Sequence, residues 1–327
     1  MKALYHVSAS PHVRSNTTTA GIMRDVVIAL TPACLFGIWQ FGFRAFLVLL
    51  VSVATCVASE YLFYRVVKRQ KGSYECSAVV TGLLLGMNLP ASVPLWMPVI
   101  GGVFAIIVVK ELYGGLGQNF MNPALAGRCF LLVCFASRMA SFTVEKGSGV
   151  FLNGAAAVDG ISSATPLALI KEGAEYSLSD MFFGFTGGVI GETSTLMILI
   201  GAAYMVVRGV ISLRIPLAYL GSFAVFMLLF GGHGADASYL AAQLCGGGLM
   251  LGAFFMATDY VTSPVTPVGR IVFGICLGVL TGIFRVFGSG AEGVSYAIIF
   301  CNLLVPLIEK ITMPRAFGKG GKQYVRK

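Results

Sequence analysis

Charge is what this sequence has least of: Asp, Glu, Lys and Arg make up 11% of its 327 residues, less than half of the roughly 25% usual in a soluble domain. A soluble globular fold is excluded on that ground. Acidic residues are the scarcer sign, 14 against 23 Lys and Arg, which leaves a formal charge of +9. Nucleic-acid binding does not follow. The excess lies in loops between apolar runs and in the tail GKGGKQYVRK, where the orientation rule of membrane proteins accounts for it. Histidine occurs three times, at His6, His12 and His233, with no metal-ligand spacing. H-E-x-x-H, G-x-S-x-G and G-x-x-x-x-G-K-[ST] are all missing, so hydrolytic, nucleotide-driven and metal-centred readings lose their sequence support. His6 and His12 read as solvated residues of a polar arm. None of the eight cysteines (Cys34, Cys56, Cys76, Cys129, Cys134, Cys245, Cys276, Cys301) forms a C-x-x-C pair. They read as small apolar packing residues and leave no cluster ligation to this chain alone. A removable signal peptide is also missing, because MKALYHVSASPHVRSNTTTAG stays polar for about twenty residues before the first apolar run. The N-terminus is expected to remain in the cytoplasm.

What is present is a series of long apolar runs, with 57% of all residues hydrophobic. A helix crosses a roughly 30 Å hydrocarbon core with about 20 apolar residues, whereas a barrel would show alternating segments of about ten. The expected fold is therefore an all-α polytopic membrane protein of about ten transmembrane helices, over 23–41, 43–66, 76–90, 95–113, 121–138, 181–207, 215–231, 238–257, 269–287 and 291–311. Arg65, Lys68, Arg69, Lys71, Arg208, Arg214 and Arg270 then fall on one side with the basic tail, and Arg44, Arg138, Lys146, Lys171 and Arg285 on the other. The positive-inside rule puts the first group, with both termini, in the cytoplasm and the 139–180 loop outside. The organisation expected is a cytoplasmic arm (1–22), a first five-helix repeat (23–138), that loop, a second repeat (181–311) and a basic tail (312–327).

Two stretches support the division into repeats. TGLLLGMNLPASVPLWMPVIGGVFAII from Thr81 and GGLMLGAFFMATDYVTSPVTPVGRIVFGICLGVL from Gly247 each run from a Gly-rich apolar segment through a Pro-punctuated polar turn into a long apolar helix. They lie five segments apart, so the second copy is inverted relative to the first. In such folds the interrupted segments are broken helices whose freed backbone groups face a cavity at the repeat interface; for any single glycine, close helix packing explains it as well.

Among ionisable residues, most of the set Glu60, Lys110, Glu111, Arg128, Glu292 and Glu309 fall near segment ends, and the set is expected to reach the headgroups. Glu192 in GGVIGETSTLMILI and Asp259 in FFMATDYVTSP are kept as candidates for an ion path or cofactor pocket. Asn119 and Asn122, in GGLGQNFMNPALAGR, precede a proline suited to a first helical turn; they read as caps whose free N–H groups can also face an anion or a carbonyl. The run DGISSATPLA presents the hydroxyls of Ser162, Ser163 and Thr165 among small residues, with Pro166 stopping a helix from extending back over Thr165.

The segments SASPHVRSNTTTAGIMRDVVIALTPA, TGLLLGMNLPASVPLWMPVIGG, GGLGQNFMNPALAGR and DGISSATPLA, in this order, resemble the D subunit of the Rnf complex (RnfD), the ion-translocating ferredoxin:NAD oxidoreductase of bacterial membranes. They also resemble the related B subunit of the sodium-pumping NADH:quinone oxidoreductase, which usually carries a longer N-terminal extension. The resemblance implies FMN joined by a phosphoester to the threonine of a D-G-x-S-G-A-T motif, here Thr165. Asp159, Gly160, Ser162 and Ala164 match that motif, and Ser163 stands where the family has glycine. It further implies an additional riboflavin at the repeat interface, electron passage coupled to Na+ or H+ movement, and a bacterial inner-membrane location. The implied partners are the A and E membrane subunits, the FMN-bearing G subunit, the B and C iron–sulfur subunits, and a flavin transferase. A solute channel of urea-channel-like fold is the competing reading of the same inverted repeat, and a scaffold without cofactor is a third.

Overall fold

The computed structural model describes residues 17–69, 76–142, 165–171, 176–232, 234, 236–288 and 293–314. Among them every regular element is a helix. The first, α1 (Thr19–Phe41), is capped by Thr18 Oγ1, which accepts from Gly21 N at 3.1 Å, and ends at Gly42, whose positive φ favours glycine. Next come α2 (Phe43–Phe63), prolonged π-helically over Tyr64–Lys68, and α3 (Ser77–Met87). After α4 (Trp96–Val103), prolonged over Phe104–Glu111, follow α5 (Pro123–Cys134) and the single turn α6 (Ala136–Met139). The chain continues with α7 (Pro166–Lys171), α8 (Leu178–Phe183), α9 (Thr195–Val207) and α10 (Arg214–Phe230). It closes with α11 (Ala237–Cys245), α12 (Leu249–Leu251), prolonged over Gly252–Met256, α13 (Pro267–Phe287) and α14 (Val294–Thr312).

Four helices among the described residues are long and apolar enough to cross a membrane: Thr19–Phe41, Phe43–Lys68, Pro267–Phe287 and Val294–Thr312. A fifth span results if Ala237–Cys245 and Leu249–Met256, bent by 63° at their break, count as one. The apolar helices Ser77–Met87, Pro123–Cys134, Thr195–Val207 and Arg214–Phe230 are shorter. Helices of 11 and 12 residues, as in α3 and α5, rise about 17 Å, roughly half of a hydrocarbon core. The expected 181–207 segment is not one helix. It divides into α8 and α9, because Gly184 ends α8 at φ +102 and Ser194 caps α9 through Met197 N. The two look-alike stretches do fold alike, each as a short helix, an irregular turn and a second helix.

Helices in an apolar solvent gain little from hiding apolar surface, so close contact at small residues has to hold them. On α13, Gly274, Gly278 and Gly282 form one stripe against Ala218, Tyr219, Ser222 and Phe226 of α10. Beside it Tyr219 and Thr281 share a buried hydroxyl hydrogen bond of 2.7 Å. A Cβ on Gly278 would approach Phe223 N to 2.6 Å and Tyr219 O to 2.7 Å, backbone that cannot yield alone. Gly278→Ala is expected to cost about 1–3 kcal/mol and to lower the detergent melting temperature. Gly221→Ala, whose Cβ meets open space, serves as the control that leaves it unchanged.

Candidate functional site

Thr165 stands immediately before α7, its carbonyl accepting from Leu169 N at 3.0 Å. Pro166 fills the first helical position, where a missing N–H costs nothing. The other motif residues, Asp159, Gly160, Ser162, Ser163 and Ala164, lie outside the described residues, as do His6, His12 and His233. Thr165 is buried and lines a cleft of about 360 Å³, partly open to solvent, with Thr186, Gly187, Glu192, Thr193, Gly246 and Gly247. The floor of this cleft is the break between α11 and α12. Gly247 and Gly248 there take φ +64 and +66 in succession, a left-handed pair that only glycine adopts without strain. A Cβ on Gly248 would overlap the Glu192 carboxylate, and one on Gly247 would overlap Leu167 of α7.

Breaking α11 exposes its last carbonyls, and Arg285 of α13 satisfies them. Its Nη2 donates to Gly246 O at 2.8 Å, and its Nη1 to Gln243 O and, at 3.1 Å, to Gln243 Oε1. The guanidinium also lies over the Phe223 ring, 5.0 Å from its centroid. Arg285 is only 7% exposed, so it is a buried structural cation at the end of α13.

Glu192 is held from the other side by Arg128 of α5. Arg128 Nη1 lies 3.1 Å from Glu192 Oε1, 2.9 Å from Asn88 Oδ1 and 2.8 Å from Ser295 Oγ. These partners come from the loop before α9, from the C-terminus of α3 and from the start of α14, and all of them are buried. The same loop is fastened to α3 by Gly191 N donating to Met87 O at 2.7 Å and Ile190 N to Leu89 O at 3.1 Å, so the carbonyls freed where α3 stops find partners.

Asn119, Asn122 and Asp259 meet in a second, larger cleft of about 740 Å³, together with Ser77, Lys110 and Tyr260. Asn122 is the expected cap: its Oδ1 accepts from Ala124 N at 3.0 Å and from Leu125 N at 3.3 Å. Its Nδ2 also reaches Met256 O at 3.4 Å, at the end of the broken α12 run. Asn119 Nδ2 donates to Met121 O at 3.1 Å. Asp259 Oδ2 accepts from Thr262 Oγ1 at 3.1 Å. Burial pushes its carboxyl above the usual carboxylate range, while that hydrogen bond and the N–H groups of Val261 and Tyr260 act in the opposite direction. Lys110 Nζ pairs with Glu60 Oε1 at 2.8 Å and donates to Ser77 Oγ at 2.7 Å, and Lys68 pairs with Glu111 at 3.0 Å.

The sequence candidates thus separate into two groups, Thr165 with Glu192 and Asn119 with Asn122 and Asp259. Lys110 and Arg128, expected to reach headgroups, are instead 2% and 4% exposed inside the protein. For Arg128 the signal that could have found it is its place well inside the run PALAGRCFLLVC, five residues past the proline that starts α5. The cysteines divide: Cys34, Cys56 and Cys301 are buried as expected, while Cys76 and Cys134 are exposed. Among the described residues no group of three or more His, Cys, Asp or Glu could hold a metal ion.

The chain is similar to the D subunit of the Na(+)-translocating ferredoxin:NAD(+) oxidoreductase complex of Acetobacterium woodii, 44% identical over 317 residues and 95% of each chain. It is 38% identical over 97% of each chain to the D subunit of the proton-translocating ferredoxin:NAD(+) oxidoreductase complex of Clostridium ljungdahlii. The D subunit of the ion-translocating oxidoreductase complex of Shewanella amazonensis is 36% identical, over 97% of this chain and 99% of its own. Residues 6–318 match the family model for NQR2, RnfD and RnfE, and the chain belongs to that family.

Proposed function

We propose that this chain is the D subunit of an Rnf-type ion-translocating ferredoxin:NAD oxidoreductase, a membrane flavoprotein carrying FMN as a phosphoester on Thr165. The observation that supports the flavin most directly is the position of Thr165. It precedes a short helix and lines a cleft whose floor, at Gly187, Gly188, Gly246 and Gly247, has no side chains. The cleft is open to solvent on one side, and Thr186 and Thr193 line it with hydroxyls for a polar ligand. The residues present fit the group. FMN, when bound, supplies the one- and two-electron chemistry. This chain's own part is to tether it at the Thr165 oxygen, to let it approach glycine backbone closely, and to set the buried Glu192 carboxylate beside it.

The wider reading is a ten-crossing protein of two inverted five-helix repeats in the bacterial inner membrane, with both termini cytoplasmic and Thr165 on the outer side. FMN held at Thr165 would accept electrons from the FMN-bearing neighbouring subunit, in a flow coupled to Na+ or H+ movement. A flavin transferase installs the FMN. The Asp259 cleft, with Phe255 and Tyr260 as flat apolar walls and Asn119, Asn122 and Lys110 as polar ones, is the place we assign to a noncovalent riboflavin.

The primary test is peptide mass spectrometry of the chain purified after co-expression with a flavin transferase. The peptide containing Thr165 is expected to be heavier by FMN less one water; an unmodified peptide beside a transferase active on a known target sinks the reading. Orientation is checked separately in a background lacking the exposed Cys76 and Cys134. Lys171→Cys is expected to react with an impermeant thiol reagent in intact cells and Arg69→Cys to be protected, and the reverse pattern would invert the assigned topology.

A further inference from the structure

The two clefts lie at opposite ends of α1. Ile22 lines the Asp259 cleft, while Gly37, fifteen residues on and about 22 Å along the helix, packs directly on Ile190, two residues from Glu192. A polar knot links their linings. Leu84 and Ala124 line the Asp259 cleft; one helical turn deeper on the same two helices stand Asn88 and Arg128, bonded to one another at 2.9 Å. Arg128 in turn holds Glu192, which lines the Thr165 cleft. The surroundings are apolar, with Leu85, Met87, Leu89, Leu125 and Ile298 fully buried. A buried ion pair of this kind is seldom the most stable filling for such a space, since well-packed apolar residues often do as well or better. A guanidinium in a narrow polar path is, however, an effective electrostatic barrier to cations.

We propose that Arg128, locked onto Glu192, Asn88 and Ser295, is the plug of a path for small monovalent cations, protons included, between the two clefts. Glu192 has two roles in this arrangement. It anchors the plug, and it presents the carboxylate that a cation meets once the guanidinium is displaced. The inference rests on the reading of the chain as part of an ion-translocating complex, yet its test uses neither flavin nor electron donor.

The test is passive leak. The whole complex containing this chain is reconstituted into sealed vesicles loaded with a pH-sensitive or a Na+-sensitive dye, and a K+ diffusion potential, negative inside, is imposed without any electron donor. Wild type is expected to be tight and Arg128→Gln to leak at least about tenfold faster, the responding dye identifying the cation as H+ or Na+. Arg128→Lys, which keeps the charge, should stay close to wild type. Ser295→Ala, which removes only one of the bonds holding Arg128, should leak at an intermediate rate and keeps the idea testable if Arg128→Gln does not assemble. An assembled Arg128→Gln complex, or failing that an assembled Ser295→Ala complex, that is as tight to both ions as wild type overturns the proposal. A purely structural ion pair would lower the melting temperature without opening a leak. Failure of the flavin reading would show instead in the mass of the Thr165 peptide.

Discussion

Replacing Thr165 with alanine is expected to abolish the ultraviolet fluorescence of the denatured chain in a gel, while Ser163→Ala keeps it. The size of the effect follows from the bond. A phosphoester needs a hydroxyl oxygen, and alanine offers none, so labelling should fall to background. Thr165→Ser retains an oxygen at the same place and should remain fluorescent, at reduced yield if the transferase reads the methyl group. The chain itself should tolerate all three changes. The α7 helix is fastened by the buried Leu167 and Ile170, and Leu169 N still finds the backbone carbonyl of residue 165. A band that persists in Thr165→Ala and disappears in Ser163→Ala would move the attachment to Ser163. Persistence in both would remove the motif from the argument.

Composition is enough to read the class of fold, because 11% charge over 327 residues leaves few architectures open. Local chemistry is legible wherever a cap or a turn needs a particular residue. Asn122 before Pro123 reads as a cap and is one, whereas the glycines after Cys245, inside the expected 238–257 span, bend it by 63°. Partnership is not legible in the same way. Arg128 and Glu192 are 64 residues apart and meet only because α5 and the loop before α9 converge on the end of α3. A lone charge in an apolar run does not reveal whether it reaches headgroups or finds a carboxylate inside, and the headgroup expectation fails for Arg128 and for Lys110 alike. The interruption of 181–207 escapes a sequence reading for a related reason: its glycines allow tight packing, as Gly191 does against Met87, as readily as they end a helix, and periodicity does not tell the two apart.

The second large effect is on stability and concerns Glu192. Removing the carboxylate that faces a buried guanidinium is expected to cost about 3–5 kcal/mol, so Glu192→Ala should unfold well below wild type in a detergent melt. Glu192→Gln keeps an acceptor for Arg128 Nη1 and loses only the charge, which puts its cost nearer about 1–2 kcal/mol. Gly248→Ala should act in the same direction through geometry. Its Cβ would overlap the Glu192 carboxylate, and its backbone would be held at φ +66, a conformation that a Cβ disfavours by about 1–2 kcal/mol. A double-mutant cycle of Glu192→Gln with Arg128→Gln decides whether the pair acts as a unit. Coupling above about 1 kcal/mol is expected for groups in direct contact, whereas additive losses would mean that each residue stabilises the protein through its other neighbours. In that case the Thr165 cleft and the Asp259 cleft would share a wall without sharing a lock.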